Sequence, residues 1–251
     1  SFTGTVDLSA AASLGGGTHE TDPGAAIAAN LTFLISHPNS RSQTLYSAAD
    51  LGAAKRITAV AMDLAGSGGT MPVTVPNLSV RMCHSSATSV PEEWVAPADL
   101  TTVYSHDTTI PVSGKTLILD RPFDYNGTDS LLVDWSYSGT SSLGGWPYWR
   151  VAQLTSGGTF RTSSDTSSYG DPLTWSGATP AVGSLTPYRA TLYVTYENVT
   201  PIALIPTTSG AFQKGVWTGQ LTISQTADSV TLTADDGSDH AGNSNRSEEH
   251  T

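Results

Sequence analysis

The chain has 251 residues and carries 11 Lys plus Arg against 22 Asp plus Glu, a formal net charge of −11, with only three lysines: Lys55, Lys115 and Lys214. Neutralising phosphate takes clustered cations, so this balance excludes a nucleic-acid partner and a basic stripe for anionic lipid. Charged residues make up 13%, and 24 Gly, 14 Pro and 67 Ser plus Thr stand in their place; such residues solvate a surface without charge and break helices, which predicts an all-β protein.

In chain order, residues 1–24 are rich in Ala, Gly and Thr and read as a linker or the end of a preceding module. Residues 25–197 form the main domain. Its best helical candidate is Ser47–Gly52, one or two turns closed by a glycine. Period-two alternation predicts half-buried strands through Val60-Met62-Leu64, Leu78-Val80-Met82, Leu117-Leu119, Leu131–Tyr137 and Arg189–Tyr196. In Leu131–Tyr137 the alternation sets Val133, Trp135 and Tyr137 inward and Asp134 outward, where its carboxylate would be solvated. Turn signals fall between these runs at Gly66-Ser67-Gly68-Gly69, Asn126-Gly127, Gly144-Gly145, Gly157-Gly158 and Asp236-Gly237. Short strands with frequent turns predict an antiparallel β-sandwich, jelly-roll-like in the main domain.

A composition shift at Glu197–Pro201 opens a second module, 198–245, of three or four short strands, which reads as a truncated immunoglobulin-like unit. The last residues, Arg246-Ser247-Glu248-Glu249-His250-Thr251, break the Ser/Thr/Gly register with a charge cluster. They resemble the translation of a short-read sequencing adapter. On that reading 246–251 are foreign to the fold and the natural chain runs on beyond Asn245.

Six stretches carry a family resemblance: Arg41–Tyr46 with Asp50-Leu51-Gly52, Ile57-Thr58, Val80–His84, Thr102-Val103-Tyr104, Pro122–Asp134 and Tyr169–Trp175. Together they resemble a repeat module of very large secreted or surface-anchored bacterial proteins. Gly215–Gly219 with Val230–Gly237 is similar to the immunoglobulin-like repeats of such proteins. The resemblance implies an extracellular or cell-surface setting, adhesive or accessory work beside neighbouring modules of the same chain, and no catalytic residues. At Ser47-Ala48-Ala49 the chain departs from the pattern, where such modules carry bulkier apolar residues.

Catalytic constellations are thin. Asp124, Asp129 and Asp134 are spaced five apart, and paired carboxylates serve glycoside hydrolysis, but the Asn126-Gly127 turn between them predicts backbone capping instead. Six scattered histidines show no metal-ligand spacing, and one cysteine permits neither a disulfide nor a thiolate zinc site. No cofactor is expected. Calcium is the remaining metal to weigh, because it takes oxygen ligands from loops. Asp235, Asp236 and Asp239 are its candidates, against the plainer reading of a solvated hairpin loop.

Aromatics crowd between Trp135 and Trp175. Sugar C–H faces pack on indole and phenol rings while hydroxyls pair with polar side chains, so Trp146, Tyr148 and Trp149, with Arg150, Tyr169 and Asp171, are the candidate ligand platform. Core packing is the competing reading for the same rings. No apolar run is long enough for a membrane span, and no signal-peptide pattern follows Ser1. The combined expectation is a non-catalytic adhesion, carbohydrate-binding or spacer module whose partner is a polysaccharide or cell-surface glycan. The alternatives are an accessory domain of a secreted polysaccharide hydrolase, or a subunit of an extracellular filament or surface layer. Cys83 lies in an alternating strand with no partner and no cationic neighbour to stabilise its thiolate, so it should be buried and react slowly with a thiol reagent in the folded protein. Labelling as fast as in the unfolded chain would contradict this.

Overall fold

The computed structural model describes residues 3–25, 27–29, 37–69, 71–139, 145–164, 171–175, 183–223, 230–237 and 241–244. In chain order the strands are β1 (Asp7–Glu20), β2 (Ile27–Ala29), β3 (Asn39–Tyr46), β4 (Lys55–Met62), β5 (Leu64–Gly69), β6 (Val73–Ser85), β7 (Thr101–Ile110), β8 (Thr116–Tyr125) and β9 (Ser130–Ser138). They continue as β10 (Gly145–Gln153), β11 (Thr159–Ser164), β12 (Ser184–Thr186), β13 (Tyr188–Ala190), β14 (Leu192–Ile202), β15 (Leu204–Ile205), β16 (Thr222–Ile223), β17 (Val230–Asp235) and β18 (Ala241–Asn243). The chain is an all-β antiparallel sandwich, as its composition predicts. Its one α-helix among the described residues, Ala48–Leu51, is a single turn, and no helix there is long and apolar enough to cross a membrane.

Two compact units divide the chain: Gly17–Tyr196, and Ser1–Gly16 with Glu197–Thr251. In the second of these, the first half of β1 pairs with β17, from Asp7 opposite Asp235 to Ala12 opposite Val230, and β17 pairs with β18. Leu8 N–H donates to the Thr207 carbonyl at 2.7 Å and Ser209 N–H to Val6 at 2.9 Å. Ala10, Ala12, Ile202, Leu204 and Val230 form its core. The opening residues, read from the sequence as a linker or the end of a preceding module, therefore contribute a central strand to the unit that holds the last 55 or so residues.

In the Gly17–Tyr196 unit, one sheet runs β12-β11-β3-β9-β6-β7, another sets β14, β4 and β8 side by side, and β13-β10-β2 with β5 forms a third. Val60 and Met62, Val80 and Met82, Leu117 and Leu119, Val133, Trp135 and Tyr137, and Leu192 and Val194 all enter one core between the sheets. The alternation that predicts these strands is thus the alternation that builds the core. Ser47 caps the short helix: its hydroxyl accepts from Asp50 N–H, and the Asp50 carboxylate accepts from Ser47 N–H at 2.8 Å, a capping box. A polar cap thus occupies the place where bulkier apolar residues are expected.

Strands β3 and β9 depart from the half-buried pattern, because β3 is buried at all eight positions and β9 from Leu131 to Tyr137. The cause is a second core on the other face of their sheet, in which Val90, Trp94 and Leu100 from the segment between β6 and β7 meet Leu45, Leu132, Phe160 and Trp175. Asp134, expected outward and solvated, is corrected by this cover: it lies on the outer face but is fully buried. Arg41 Nε donates to Asp134 Oδ2 at 2.7 Å, and Gln43 Nε2 donates to the same oxygen at 2.8 Å. The Arg81 guanidinium stands 3.6 Å from Oδ1 and donates to Ser136 Oγ at 2.8 Å. Arg41 also donates to the carbonyls of Val95, at 2.9 Å, and Trp175, and it lies 4.8 Å from the Trp94 ring centre. Burial draws the Arg41 pKa down while the Asp134 carboxylate opposes the shift.

Cys83 packs against the same second core, half-buried, and burial pushes its thiol up to about 11. Removing one partner of a buried ion cluster strands the others, which costs about 3–5 kcal/mol. Asp134→Ala should lose stability on that scale in denaturant melts. Asp124→Ala breaks the exposed Arg56–Asp124 pair, where the carboxylate is 66% exposed, and should change stability by at most about 1 kcal/mol. Equal losses in the two variants would show that the buried cluster contributes no more to stability than an exposed pair does.

Candidate functional site

Strand β10 carries the expected ligand platform, and its alternation splits that platform. Trp149 points into the sandwich, 2% exposed, among the residues of the main core. This corrects its place on a platform, because a buried indole offers no face to a sugar. The physical reason is the β-pairing: β10 sits between β2 and β5, with Trp149 opposite Ala29 and Leu64, so one of its faces must close the core. Tyr148 and Arg150 occupy the opposite face, with Tyr148 38% exposed. Trp146 lies in the strand opposite Gly68, but its side chain, like Tyr169, falls outside the described residues.

Asp171 is exposed, and its carbonyl accepts from Thr174 N–H at 2.9 Å and Thr174 Oγ1 at 2.8 Å, opening the 3-10 turn Pro172–Thr174. That turn delivers Trp175 to the second core. Asp171 and Arg150 thus belong to different surroundings.

Arg150 is anchored. Its Nε donates to Asp63 Oδ2 at 2.5 Å and its Nη1 to the Ala25 carbonyl at 3.2 Å. Tyr193, on β14, donates its hydroxyl to the same Asp63 oxygen at 3.4 Å. Burial first, then the neighbouring carboxylates Glu20 and Asp63, push the Tyr193 phenol up to about 12, so it stays a hydrogen-bond donor at neutral pH. Asp63 and Tyr193 form one wall of an open groove of about 270 Å³. The turn between β7 and β8 forms the other wall with Ser113, Gly114, Lys115 and Thr116. Gly114 makes this turn possible at φ +76°, and its N–H donates to the Pro111 carbonyl at 3.0 Å. Of the groove's polar residues, sequence reading singled out none; it named only Arg150, which holds Asp63 in place. The missed residues come from positions 63, 113–116 and 193, and no local pattern joins them.

The remaining candidates are dispersed. Asp124 pairs with Arg56 at 2.7 Å across β4 and β8. Asp129 accepts from Asn126 Nδ2 at 2.7 Å, while Asn126 Oδ1 accepts from the backbone N–H groups of Thr128 and Asp129, so this carboxylate serves its turn. With Asp134 buried elsewhere, the three carboxylates share no cleft. His84 lies 5.0 Å from the Phe123 ring and its Nε2 accepts from Asn126 N–H. Of the calcium candidates, Asp235 Oδ1 accepts from Gly237 N–H at 2.8 Å, an Asx-type closure of the β17–β18 connection. Asp236 is half-buried beside it, and Asp239 falls outside the described residues. Among the described residues no three His, Cys, Asp or Glu are grouped to hold a metal ion.

Replacing Trp149 by Ala opens a cavity in the main core and should cost about 3–5 kcal/mol. The neighbouring Tyr148→Ala, on the outer face, should stay within about 0.5 kcal/mol of the wild type. Thermal melts of the two variants check the split; comparable melting temperatures would place both rings on the same side of the strand.

In comparisons with known proteins, no family model matches the chain and no curated protein matches it.

Proposed function

We propose that the chain is a non-catalytic, extracellular carbohydrate-binding module of a multidomain bacterial surface or secreted protein, and that it engages its glycan at the Asp63–Tyr193–Lys115 groove. The groove carries this reading. It combines a carboxylate already oriented by a guanidinium, a phenol kept protonated, an ammonium and the hydroxyls of Ser113 and Thr116, all within one open concavity. Sugar hydroxyls need such mixed donors and acceptors, and the phenol ring supplies an apolar face for sugar C–H groups. A shallow opening suits a polymer that enters sideways. A chain-internal site for a small diffusible substrate would bury most of its ligand, which an open groove does not.

The surface and secreted setting, and the adhesive or accessory work within a larger chain, rest on the resemblance of the Arg41–Tyr46, Pro122–Asp134 and Tyr169–Trp175 stretches. The three carboxylates spaced five apart favour the non-catalytic reading, because Asp124 and Asp134 are each engaged with an arginine and Asp129 with its own turn.

Affinity electrophoresis and pull-down on cellulose, chitin, xylan and pectin test the proposal. The wild type should be retained by at least one of them. Tyr193→Ala and Asp63→Ala should weaken retention at least tenfold, with the fold checked by circular dichroism and thermal melts. Arg56→Ala, at a surface pair elsewhere, should bind as the wild type does. Absence of binding to all four polymers, or unchanged binding by both groove variants, would overturn it.

A further inference from the structure

Beside the groove lies a second cavity, a slot of about 20 Å³ that shares Ala61, Met62 and Lys115 with it and is otherwise lined by Leu78, Ile110, Leu117, Trp135 and Trp149. Its size is that of one water- or methyl-sized group. Two indoles, a thioether and aliphatic side chains dominate its lining, so a methyl group placed there gains dispersion contacts. Lys115 is common to both cavities. Its ammonium is a donor with three hydrogens and no acceptor, so it suits a carbonyl oxygen on a ligand that reaches both cavities.

Polar groove, cationic donor and methyl-sized apolar slot together have the chemical order of an acetylated sugar: ring hydroxyls, then a carbonyl oxygen, then a methyl group. We infer that the groove recognises an acetyl-bearing sugar, with the ring in the groove, the acetyl carbonyl accepting from Lys115 and the methyl group in the slot. This rests on the glycan-binding reading of the same groove and narrows its ligand class. An amide-linked and an ester-linked acetyl group present the same carbonyl and methyl, so either source satisfies the inference. An unacetylated sugar leaves the slot unfilled and forgoes the carbonyl bond to Lys115, which penalises it.

The test uses the full chain and two ligand pairs of matched length. The first sets chito-oligosaccharides, with N-acetyl groups, against cello-oligosaccharides, with hydroxyls at the same carbon. The second sets O-acetylated xylo-oligosaccharides against the same material after alkaline deacetylation. Isothermal titration should give at least tenfold tighter binding for the acetylated member of one pair or both, and the pair that responds distinguishes amide from ester. Saturation-transfer NMR on the preferred ligand should show the acetyl methyl protons as the most strongly saturated. Lys115→Met, which keeps an unbranched side chain of nearly the same length but removes the ammonium, should reduce the acetyl preference at least threefold. Comparable affinity for acetylated and unacetylated ligands in both pairs overturns this inference and leaves the groove as a general glycan site. A preference with the ring protons saturated and the methyl protons silent also overturns it, because the methyl would then lie outside the slot. Binding to no member of either pair, together with none to the four polymers, overturns this inference and the glycan reading alike.

Discussion

The buried pairing of Arg41 with Asp134 organises the main unit. In register, Asp134 lies opposite Gln43 on β3 and opposite Arg81 on β6, so one carboxylate is addressed from both neighbouring strands. A slip of one residue along β9 would turn that carboxylate to the other face, among Val80, Met82 and the rest of the aliphatic core, and leave two guanidinium groups uncompensated. The apolar residues of the core tolerate many registers that the charges do not. Hydrophobic burial supplies most of the stabilisation, and the ion cluster selects which pairing of β3, β9 and β6 is reached.

The same cluster explains the cover on the outer face. Arg41 donates to the carbonyls of Val95 and Trp175, and Val95 N–H donates to Gln43 Oε1 at 3.2 Å. The segment between β6 and β7 and the turn after Pro172 are thereby tied to the sheet by charge-assisted hydrogen bonds, and Trp94, Val90 and Trp175 exclude water around them. Arg41 and Gln43 of β3, Arg81 of β6 and Asp134 of β9 supply the polar members, and the segment Pro172–Trp175 supplies one lid. Their scatter along the sequence is that of a single three-dimensional device. A second arginine works similarly at the other end of β3: Arg189 bridges Asp22 at 2.5 Å and Asp50 at 2.7 Å, and its guanidinium lies 5.3 Å from the Tyr46 ring centre. Burial works against the ionised form of Asp50, but hydrogen bonds from Arg189 and Ser47 outweigh it and hold the carboxyl below its ordinary range.

The carboxylate of the groove is held differently. There Asp63 is oriented by Arg150 but remains partly solvated, with the carboxylate 28% exposed and the guanidinium 40%. Partial solvation separates it from the Arg41–Asp134 pair: a carboxylate that still meets water can exchange that water for a sugar hydroxyl at little cost, whereas a fully buried one cannot.

By itself the sequence determined the all-β class, the placing of β4, β6, β8, β9 and β14, the Ser47–Gly52 turn of helix and the turn at Asn126-Gly127. Each depends on interactions within a few residues: period-two burial, a capping box, an Asx turn. Tertiary structure alone decided which strands are covered on both faces, because the cover of β3 and β9 arrives from Val90–Leu100 and Trp175, far along the chain. It likewise decided that Asp134 is an internal ion and Trp149 a core ring, since an alternating strand states only that two faces differ and not what lies beyond each. The groove was the least legible feature, because Asp63, Lys115 and Tyr193 come from three separate connections and strands, and their meeting is a consequence of how β4, β8 and β14 pair.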